Sequence, residues 1–349
     1  MKLNNYFIFL LLFFGSFSCM KNNNPNIEDI LIPQNGVFIV CEGNFNYSNA
    51  SLSFYEPNSK LIENLVFLKA NGKPLGDVAQ SISIKNNTAY ISINNSGKIY
   101  AIDINDFKLK GKITELSSPR YMVFVSDEKA YVSDMYSKCI NIVNPNTFTK
   151  TASIDISPNN SEQLIIVNDL LFTNSWSYDD KILVINTNTD KLINTIQVLV
   201  QPRKMVLDKE NKLWVLCDGG FEGSSFVGER GIMRINTATS TVEKTFIINN
   251  NFPLVDMQIN NSKDIIYFIN KDVYRFSITD SSLPQTPYLF AENKNFYALG
   301  IDPTNSDLYV SDACDYMQNG VIYRYNSNKE PLDSFKVGII PNSFVFKTN

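Results

Sequence analysis

Along most of the chain, short stretches alternate apolar and polar residues at every second position. No segment sustains the 3.6-residue apolar period of an amphipathic helix. Asn, Asp, Gly, Ser and Pro separate the stretches, and these residues favour turns. The pattern therefore predicts an all-β protein built from short strands and tight turns.

One type of strand recurs along the chain, and most copies end in Asp or Asn before a turn. The copies start at residues 51, 98, 139, 181, 231, 272 and 321, at intervals of 47, 41, 42, 50, 41 and 49 residues. They read SLSFYE, KIYAID, CINIVN, KILVIN, GIMRIN, DVYRFS and VIYRYN, of which the first and the sixth fit less closely. A period in the forties with four short strands per repeat is typical of β-propeller blades.

The two ends of the chain complement each other in strand number. The N-terminal part supplies three strands, which are GVFIVCE (36–42), SLSFYE (51–56) and ENLVFL (63–68). The C-terminal part has one spare strand, SFVF (343–346). Pairing of the spare strand with the other three would close the ring without an exposed edge. We therefore predict a single seven-bladed β-propeller over residues 34–349, with four antiparallel strands in each blade.

The first residues predict export. Lys2 is followed by an apolar run over residues 6–14, which is too short for an anchor helix but suits a signal peptide over 1–18. Small residues then lead to Cys19, as in a bacterial lipobox, so we predict that Cys19 carries a lipid. Residues 19–33 are polar and rich in Asn, which predicts a flexible tether. The alternative is a plain secretory signal with an incidental cysteine.

Composition narrows the function. The chain has no histidine, so Ser-His-Asp and Cys-His nucleophile systems and His-ligated metal sites are excluded. Its 31 basic and 35 acidic residues give a net charge of −4, which argues against a nucleic-acid binder. Outside the signal region, Cys41, Cys139, Cys217 and Cys314 are never paired as CxxC, which argues against zinc and Fe–S sites. They are either disulfide-bonded or buried small hydrophobes.

The predicted propeller fold indicates where a ligand would bind. In a propeller, the loops between second and third strands share one face with the blade-to-blade loops, around the central channel. In this chain the first set of loops is rich in aromatic residues, and the second carries polar residues at matched positions. Flat apolar surface beside hydrogen-bonding groups suits a large amphipathic ligand. The predicted ligand-binding residues are Tyr47, Gln80, Arg120, Trp176, Tyr178, Arg203, Phe221, Asp312, Tyr316 and Asn342. The alternative is that these residues only form turns and cover the blade ends.

Little in the sequence indicates a catalytic function. The acidic residues of these loops, such as Asp218 and Asp315, lack the spacing of a calcium loop, and acidic residues beside glycines are commonly turn formers. We predict no catalytic residue, no metal site and no cofactor. A metal-dependent lactonase-like or lyase-like enzyme is the least favoured alternative.

Several segments resemble a known family. GVFIVCEGNFNYSNASLSFYEP and PLGDVAQSISIKNNTAYISINNSGKIYAID are similar to the opening blades of lipidated YncE-like seven-bladed propellers from gut-type Gram-negative anaerobes. YALGIDPTNSDLYVSDACDYMQNGVIYRYN and VGIIPNSFVF are similar to that family's last blades. The resemblance covers nearly the whole mature chain.

The resemblance carries functional implications. The family includes BtuG-like surface lipoproteins that capture cobalamin and related corrinoids and pass them to a TonB-dependent outer-membrane transporter. It therefore implies an outer-membrane lipoprotein, exposed at the cell surface, that binds a corrinoid as a transported ligand and not as a cofactor. A protein-interaction propeller without a small-molecule ligand, serving as a transporter partner or an adhesin, is the alternative.

Overall fold

Seven antiparallel sheets surround a central channel in the computed structural model, which describes residues 35–348. The predicted signal peptide (1–18), the lipidation site Cys19 and the tether (19–33) lie outside the described residues. Blade 1 takes three strands from the N-terminal end and one from the C-terminal end of this range: β1 (Gly36–Cys41), β2 (Ser51–Glu56), β3 (Leu61–Glu63) and β27 (Pro341–Lys347). A short helix, α1 (Val66–Asn71), follows β3.

Blades 2 to 4 follow in chain order. Blade 2 contains β4 (Ala79–Lys85), β5 (Thr88–Ile93), β6 (Lys98–Asp103) and β7 (Leu109–Ile113), with a 3₁₀ turn at Asn94–Ser96. Blade 3 contains β8 (Pro119–Phe124), β9 (Ala130–Asp134), β10 (Cys139–Asn144) and β11 (Thr149–Asp155). Blade 4 contains β12 (Leu164–Val167), β13 (Leu170–Ser175), β14 (Lys181–Asn186) and β15 (Lys191–Gln197).

Blades 5 to 7 complete the ring. Blade 5 contains β16 (Pro202–Leu207), β17 (Lys212–Cys217), β18 (Gly231–Asn236) and β19 (Thr241–Ile247). Blade 6 contains β20 (Leu254–Ile259), β21 (Ile265–Asn270) and β22 (Asp272–Ser277). Blade 7 contains β23 (Phe296–Ile301), β24 (Leu308–Asp312), β25 (Asn319–Tyr325) and β26 (Pro331–Ile339). The predicted all-β, seven-bladed propeller is confirmed.

The ring closes as predicted. β27 pairs antiparallel with β1, from Gly36 opposite Lys347 to Cys41 opposite Pro341, and so takes the innermost place in blade 1. The innermost strands of neighbouring blades then contact one another around the full circle, in the order β27, β4, β8, β12, β16, β20, β23 and back to β27. The ends of these strands form the two mouths of the channel.

The hydrophobic core lies between the blades. Between blades 4 and 5, for example, Phe172 and Val184 pack with Met205 and Val215. Between blades 5 and 6, the fully buried Trp214 packs near Phe246 and Phe276 of the same cluster. Each sheet therefore buries both faces against its neighbours, which explains why central strands such as GVFIVC of β1 are buried at every position.

The polar residue that ends the repeated strand has a structural role. The side-chain oxygen of Asp103 accepts a hydrogen bond from the backbone N–H two residues later, at 2.8 Å. Asn144, Asn186, Asn236 and Asn326 make the same bond at 2.9 to 3.1 Å. These Asx turns lead the chain from the third to the fourth strand, and they explain why the repeat is visible in the sequence.

Two local features differ from the sequence prediction. The strand predicted over 63–68 is wrong: Leu65 has a left-handed backbone (φ 61°) after the short β3, and helix α1 follows. The apolar residues of this run serve the helix, because Val66 and Phe67 are buried and Phe67 stacks on Tyr100 with ring centroids 5.0 Å apart. An apolar run this short does not distinguish a buried strand from a buried helix.

The second difference is in blade 6, which has three strands where the other six blades have four. The segment that follows β22 contains Pro284 and Pro287, which lack a backbone N–H and so interrupt a strand ladder. In the described part of the chain, this segment pairs with the sheet through the isolated bridge between Val273 and Leu289. It also packs on the sheet, where the Tyr288 ring lies edge-on to Tyr267 with centroids 5.6 Å apart.

We predict that closure by β27 is essential for folding. Removal of residues 341–349 deletes the seven-residue strand β27 and exposes the edge of β1. The net stability of a typical domain is only about 5–15 kcal/mol, and we expect the loss of a whole strand to exceed it. Thermal unfolding followed by circular dichroism should lose its cooperative transition, and gel filtration should show self-association. Removal of residues 348–349 alone is the control and should leave the transition unchanged. An unaltered transition after removal of 341–349 would contradict this role of β27.

Candidate functional site

Irregular pairing of the innermost strands shapes one mouth of the channel. In six of the seven blades the register between the innermost strand and its neighbour shifts within the first residues of the innermost strand. Such bulges leave residues unpaired and re-aim their side chains. The unpaired residues include Gln80, Arg120, Arg203, Val255, Tyr297 and Asn342. All six line one cavity of about 270 Å³, which we call the well.

Half of the predicted ligand-binding residues meet in this well. They come from five different blades: Gln80, Arg120, Trp176, Arg203 and Asn342. The Asn342 side chain also donates to the backbone oxygen of Gln80 at 2.8 Å, which links blades 1 and 2 at the mouth. Sequence reasoning did not identify five further polar or aromatic residues of the well: Glu42, Tyr121, Glu162, Lys204 and Tyr297.

Arg120 and Glu162 form a buried ion pair in the wall. Arg120 Nε and Nη2 each donate to a carboxylate oxygen of Glu162 at 2.7 Å, a bidentate geometry. Burial by itself would lower the pKa of Arg120, but the adjacent Glu162 carboxylate outweighs it and the pKa is raised. Arg120 therefore stays charged, and its contact with Glu162 joins blades 3 and 4.

A hydrogen bond across the channel narrows the well. Lys204 Nζ of blade 5 donates to the Tyr121 hydroxyl of blade 3 at 3.2 Å and lies 3.3 Å from a carboxylate oxygen of Asp256 in blade 6. Burial by itself would lower the pKa of Lys204, but the Asp256 carboxylate raises it. The Lys204 ammonium group of blade 5 therefore contacts side chains of both blade 3 and blade 6.

Arg203 connects the lining of the well with the aromatic ring of Trp176. Its Nε donates to the Val255 backbone oxygen at 2.9 Å, and its guanidinium carbon lies 5.5 Å from the Trp176 ring centroid. The Trp176 indole N–H donates to Asp218 at 3.0 Å, and the same carboxylate oxygen lies 3.5 Å from Arg203 Nη1. Cation–π and ionic contacts therefore fix the orientation of Trp176 beside the well.

Glu42 is a titratable carboxyl group at the wall. Tyr297 is placed to donate to either carboxylate oxygen of Glu42, at 3.4 Å. Burial raises the pKa of Glu42 to about 7, against the opposing effects of Arg120, Arg203, Lys204 and the Tyr297 hydroxyl. Burial also raises the pKa of Tyr297, and the Glu42 charge adds to this. Glu42 therefore changes charge near neutral pH.

Four predicted aromatic residues form an exposed rim on the loops of blades 1, 4, 5 and 7, which we define as Tyr47, Tyr178, Phe221 and Tyr316. Their exposed fractions are 68%, 57%, 42% and 43%. The Phe221 ring is a neighbour of both Tyr178 (5.5 Å between centroids) and Trp176 (5.9 Å). Tyr316 lies edge-on to Tyr297, with centroids 5.9 Å apart, and so connects the rim to the well.

The Asp312 carboxylate supports the backbone of neighbouring loops. It is buried, and one carboxylate oxygen accepts the backbone N–H groups of Asn295 and Cys314 at 2.9 and 2.8 Å. Asp134, the equivalent residue of blade 3, likewise accepts backbone N–H groups from two loops. Asp312 does not line the well, and its carboxylate holds a loop in the manner of the other blades.

The cysteines of the propeller are not joined in disulfides. Cys41, Cys139, Cys217 and Cys314 are free thiols, the first and third of them buried. Between residues 35 and 348, no group of three or more His, Cys, Asp or Glu residues is arranged to hold a metal ion. Within the same range, no helix is long and apolar enough to cross a membrane.

A family model for a domain of unknown function, DUF5074, matches residues 35–347, which is the entire propeller. The chain belongs to the DUF5074 family. No curated protein is similar enough to count as a relative of this DUF5074 propeller.

Solved structures share the fold at low sequence identity. A quinoprotein alcohol dehydrogenase-like protein from Bacteroides thetaiotaomicron has a TM-score of 0.68 and 17% identity, covering 90% of this chain and 78% of its own. A candidate 6-phosphogluconolactonase from Bacteroides fragilis has a TM-score of 0.65 and 12% identity, covering 90% and 98%. Hydrazine synthase from Kuenenia stuttgartiensis has a TM-score of 0.60 and 14% identity, covering 76% and 88%. At these identities the likeness concerns the fold alone.

We predict that Glu42→Gln removes a pH dependence of stability. Because the pKa of Glu42 is about 7 in the folded protein and near 4.5 when exposed, the folded state binds the extra proton between these values. The unfolding free energy of the wild type therefore falls as the pH rises through this range, by up to about 3 kcal/mol. Urea unfolding from about pH 5 to about pH 8 should show the variant gaining stability relative to the wild type, since other groups titrate equally in both. A difference in unfolding free energy between variant and wild type that stays constant with pH would contradict the raised pKa of Glu42.

We predict that the Arg120–Glu162 pair matters to stability mainly when broken. Arg120→Leu leaves the Glu162 carboxylate buried without its partner, and this costs about 3–5 kcal/mol. The double variant Arg120→Leu/Glu162→Leu should recover much of that loss, because no uncompensated charge remains. Denaturant unfolding of the two variants measures the difference. Equal destabilisation by both would indicate that lost packing, and not the charge, is responsible.

Proposed function

We propose that this DUF5074 propeller is a non-enzymatic lipoprotein of the outer membrane, facing the cell surface, that captures a corrinoid. The ligand lies across the rim with one edge at the well and is then passed to a TonB-dependent transporter. Lipidated Cys19 and the tether over 19–33 would hold the propeller at the membrane. The sequence resemblance supports the ligand class, and the form of the site supports binding.

The observation that carries the proposal is a small polar well inside a wide aromatic rim. At about 270 Å³ the well lies below the roughly 300–1,000 Å³ of pockets that enclose a drug-sized ligand. A large ligand therefore has to rest on the rim and place only part of itself in the well. A corrinoid fits this division, because it is a large disc whose edge carries amide side chains.

The rim is held in place before any ligand arrives. Asn44 of blade 1 donates to the Tyr316 backbone oxygen of blade 7 at 2.7 Å. On the other side, Trp176 and Asp218 join blades 4 and 5. A preorganised surface avoids the cost of ordering loops on binding and so favours high affinity.

Two rim residues have unfavourable backbones. Tyr178 and Tyr316 adopt left-handed conformations (φ 56° and 64°), which are uncommon for bulky residues. Such conformations cost on the order of 1 kcal/mol or more and are found preferentially at functional sites. Tyr178 and Tyr316 remain 57% and 43% exposed although each lies beside another ring, Phe221 and Tyr297 respectively.

A protein-interaction propeller is the alternative, and the exposed rim aromatics also suit a protein partner. In that case the rim would bind a transporter or another surface directly, without a small molecule. Ligand titration separates the two functions, because only the first requires a corrinoid to bind the isolated propeller.

We predict one-to-one binding of cyanocobalamin and of cobinamide to the unlipidated chain, residues 20–349, in titration calorimetry. Tyr178→Ala and Tyr316→Ala should each weaken binding by about tenfold, or roughly 1.4 kcal/mol, because each removes contact area at the rim. Ile193→Ala is the matched control, since Ile193 is 54% exposed on β15, the outermost strand of blade 4. Its affinity should equal that of the wild type.

Two results would contradict the proposed function. The absence of heat and of a thermal shift with both corrinoids would exclude corrinoid capture and favour the protein-interaction alternative. Binding that survives both tyrosine substitutions unchanged would place the ligand away from the rim.

A further inference from the structure

The geometry points to the well as a subsite that binds a neutral carboxamide group and discriminates against a carboxylate. Glu42 and Tyr297 are the residues that distinguish the two groups. This inference rests on the proposed function in one respect, because a corrinoid supplies the amide.

The cations of the well already have partners. Arg120 is paired with Glu162 at 2.7 Å, and Lys204 lies 3.3 Å from Asp256. Arg203 lies 3.5 Å from Asp218. Three positive charges are thus matched by three negative charges, and an incoming anion finds no uncommitted cation among these residues.

Glu42 adds a fourth carboxyl group. Its side chain makes no ion pair within 4.0 Å in the described part of the chain, and the Tyr297 hydroxyl is the hydrogen-bond donor that approaches it. When Glu42 is ionised, the well carries a net negative charge, and a ligand carboxylate would place a second uncompensated charge beside it. Like charges at such a distance in a partly desolvated site disfavour each other strongly.

A carboxamide matches both forms of Glu42. Its NH₂ group can donate to the ionised carboxylate, and its carbonyl oxygen can accept from the protonated acid or from the Tyr297 hydroxyl. The polar wall around it, including Gln80 and Asn342, offers further hydrogen-bonding groups. A neutral amide is therefore accommodated on both sides of neutral pH, whereas a carboxylate is accepted only when Glu42 is protonated.

The groups facing Glu42 come from several strands and determine when it is ionised. Arg120, Arg203 and Lys204 favour the ionised form, and burial opposes it. Glu162 and Asp256 neutralise two of these cations. Discrimination against a carboxylate should consequently increase from about pH 6 to about pH 8, as Glu42 loses its proton.

The chain offers a local probe for the test. It has two tryptophans: Trp176, which lines the well, and Trp214, which is fully buried in the core and donates to Asp208 at 2.8 Å. The two indole N–H signals in an NMR spectrum therefore report on the well and on an internal reference. Propionamide and propionate serve as the smallest probes that differ only in amide against carboxylate.

At about pH 8, propionamide should shift the Trp176 signal in a saturable manner, and propionate should not, while the Trp214 signal stays fixed with both. In Glu42→Gln the two probes should shift Trp176 equally, and in the exposed control Glu128→Gln the preference should be unchanged. A shift of Trp176 by propionate at least equal to that by propionamide in the wild type, or no shift by either probe, would overturn the inference.

Corrinoid derivatives distinguish this inference from the proposed function. Among cyanocobalamin derivatives with one peripheral amide hydrolysed to a carboxylate, at least one should bind about tenfold more weakly at pH about 8 than at pH about 6, relative to cyanocobalamin. Equal binding of all derivatives would overturn the amide subsite and leave corrinoid capture intact. If cyanocobalamin does not bind but propionamide is preferred over propionate, corrinoid capture fails and the subsite stands for another amide ligand.

Discussion

The hydrogen bonds between β27 and β1 join strands that are some three hundred residues apart in the chain, and the geometry of the channel mouth depends on them. They bring Asn342 of β27 beside Glu42, which directly follows β1, and both residues line the well. They also complete the circle of innermost strands, so that each blade is packed on both sides. Because the circle is closed, the bulged ends of these strands hold the lining side chains at fixed positions across the channel.

The same constraint explains the contrast between the well and the rim. Inside the circle, charged side chains are forced together and are stable only as pairs, as Arg120 with Glu162 and Lys204 with Asp256 show. Above the circle, the loops are free to present aromatic rings to solvent, and Tyr178 does so with an unfavourable backbone. A well whose cations are all paired, beneath an aromatic rim, suits a large ligand with a polar, uncharged edge.

The sequence predicted the architecture well because five of the seven repeated strands end in an Asx turn and recur at regular intervals. It placed Gln80, Arg120, Arg203 and Asn342 at the well because their positions match from blade to blade. Glu42 and Tyr297 were missed for physical reasons: the role of a carboxyl group beside a turn depends on which strands face it across the channel, and the bulge that exposes Tyr297 depends on the register between β23 and β24, which residue alternation does not show. The helix at 66–71 was missed because short apolar runs are ambiguous.

We propose that the bulged ends of the innermost strands build a binding site for a large, amide-edged ligand. The most direct measurement is a crystal structure of the propeller grown with cyanocobalamin. We expect the disc to rest against Tyr178, Phe221 and Tyr316, with one peripheral amide in the well within hydrogen-bond distance of Glu42 or Tyr297. A ligand on the opposite face of the ring or beside the open edge of blade 6, or crystals without ligand, would contradict it.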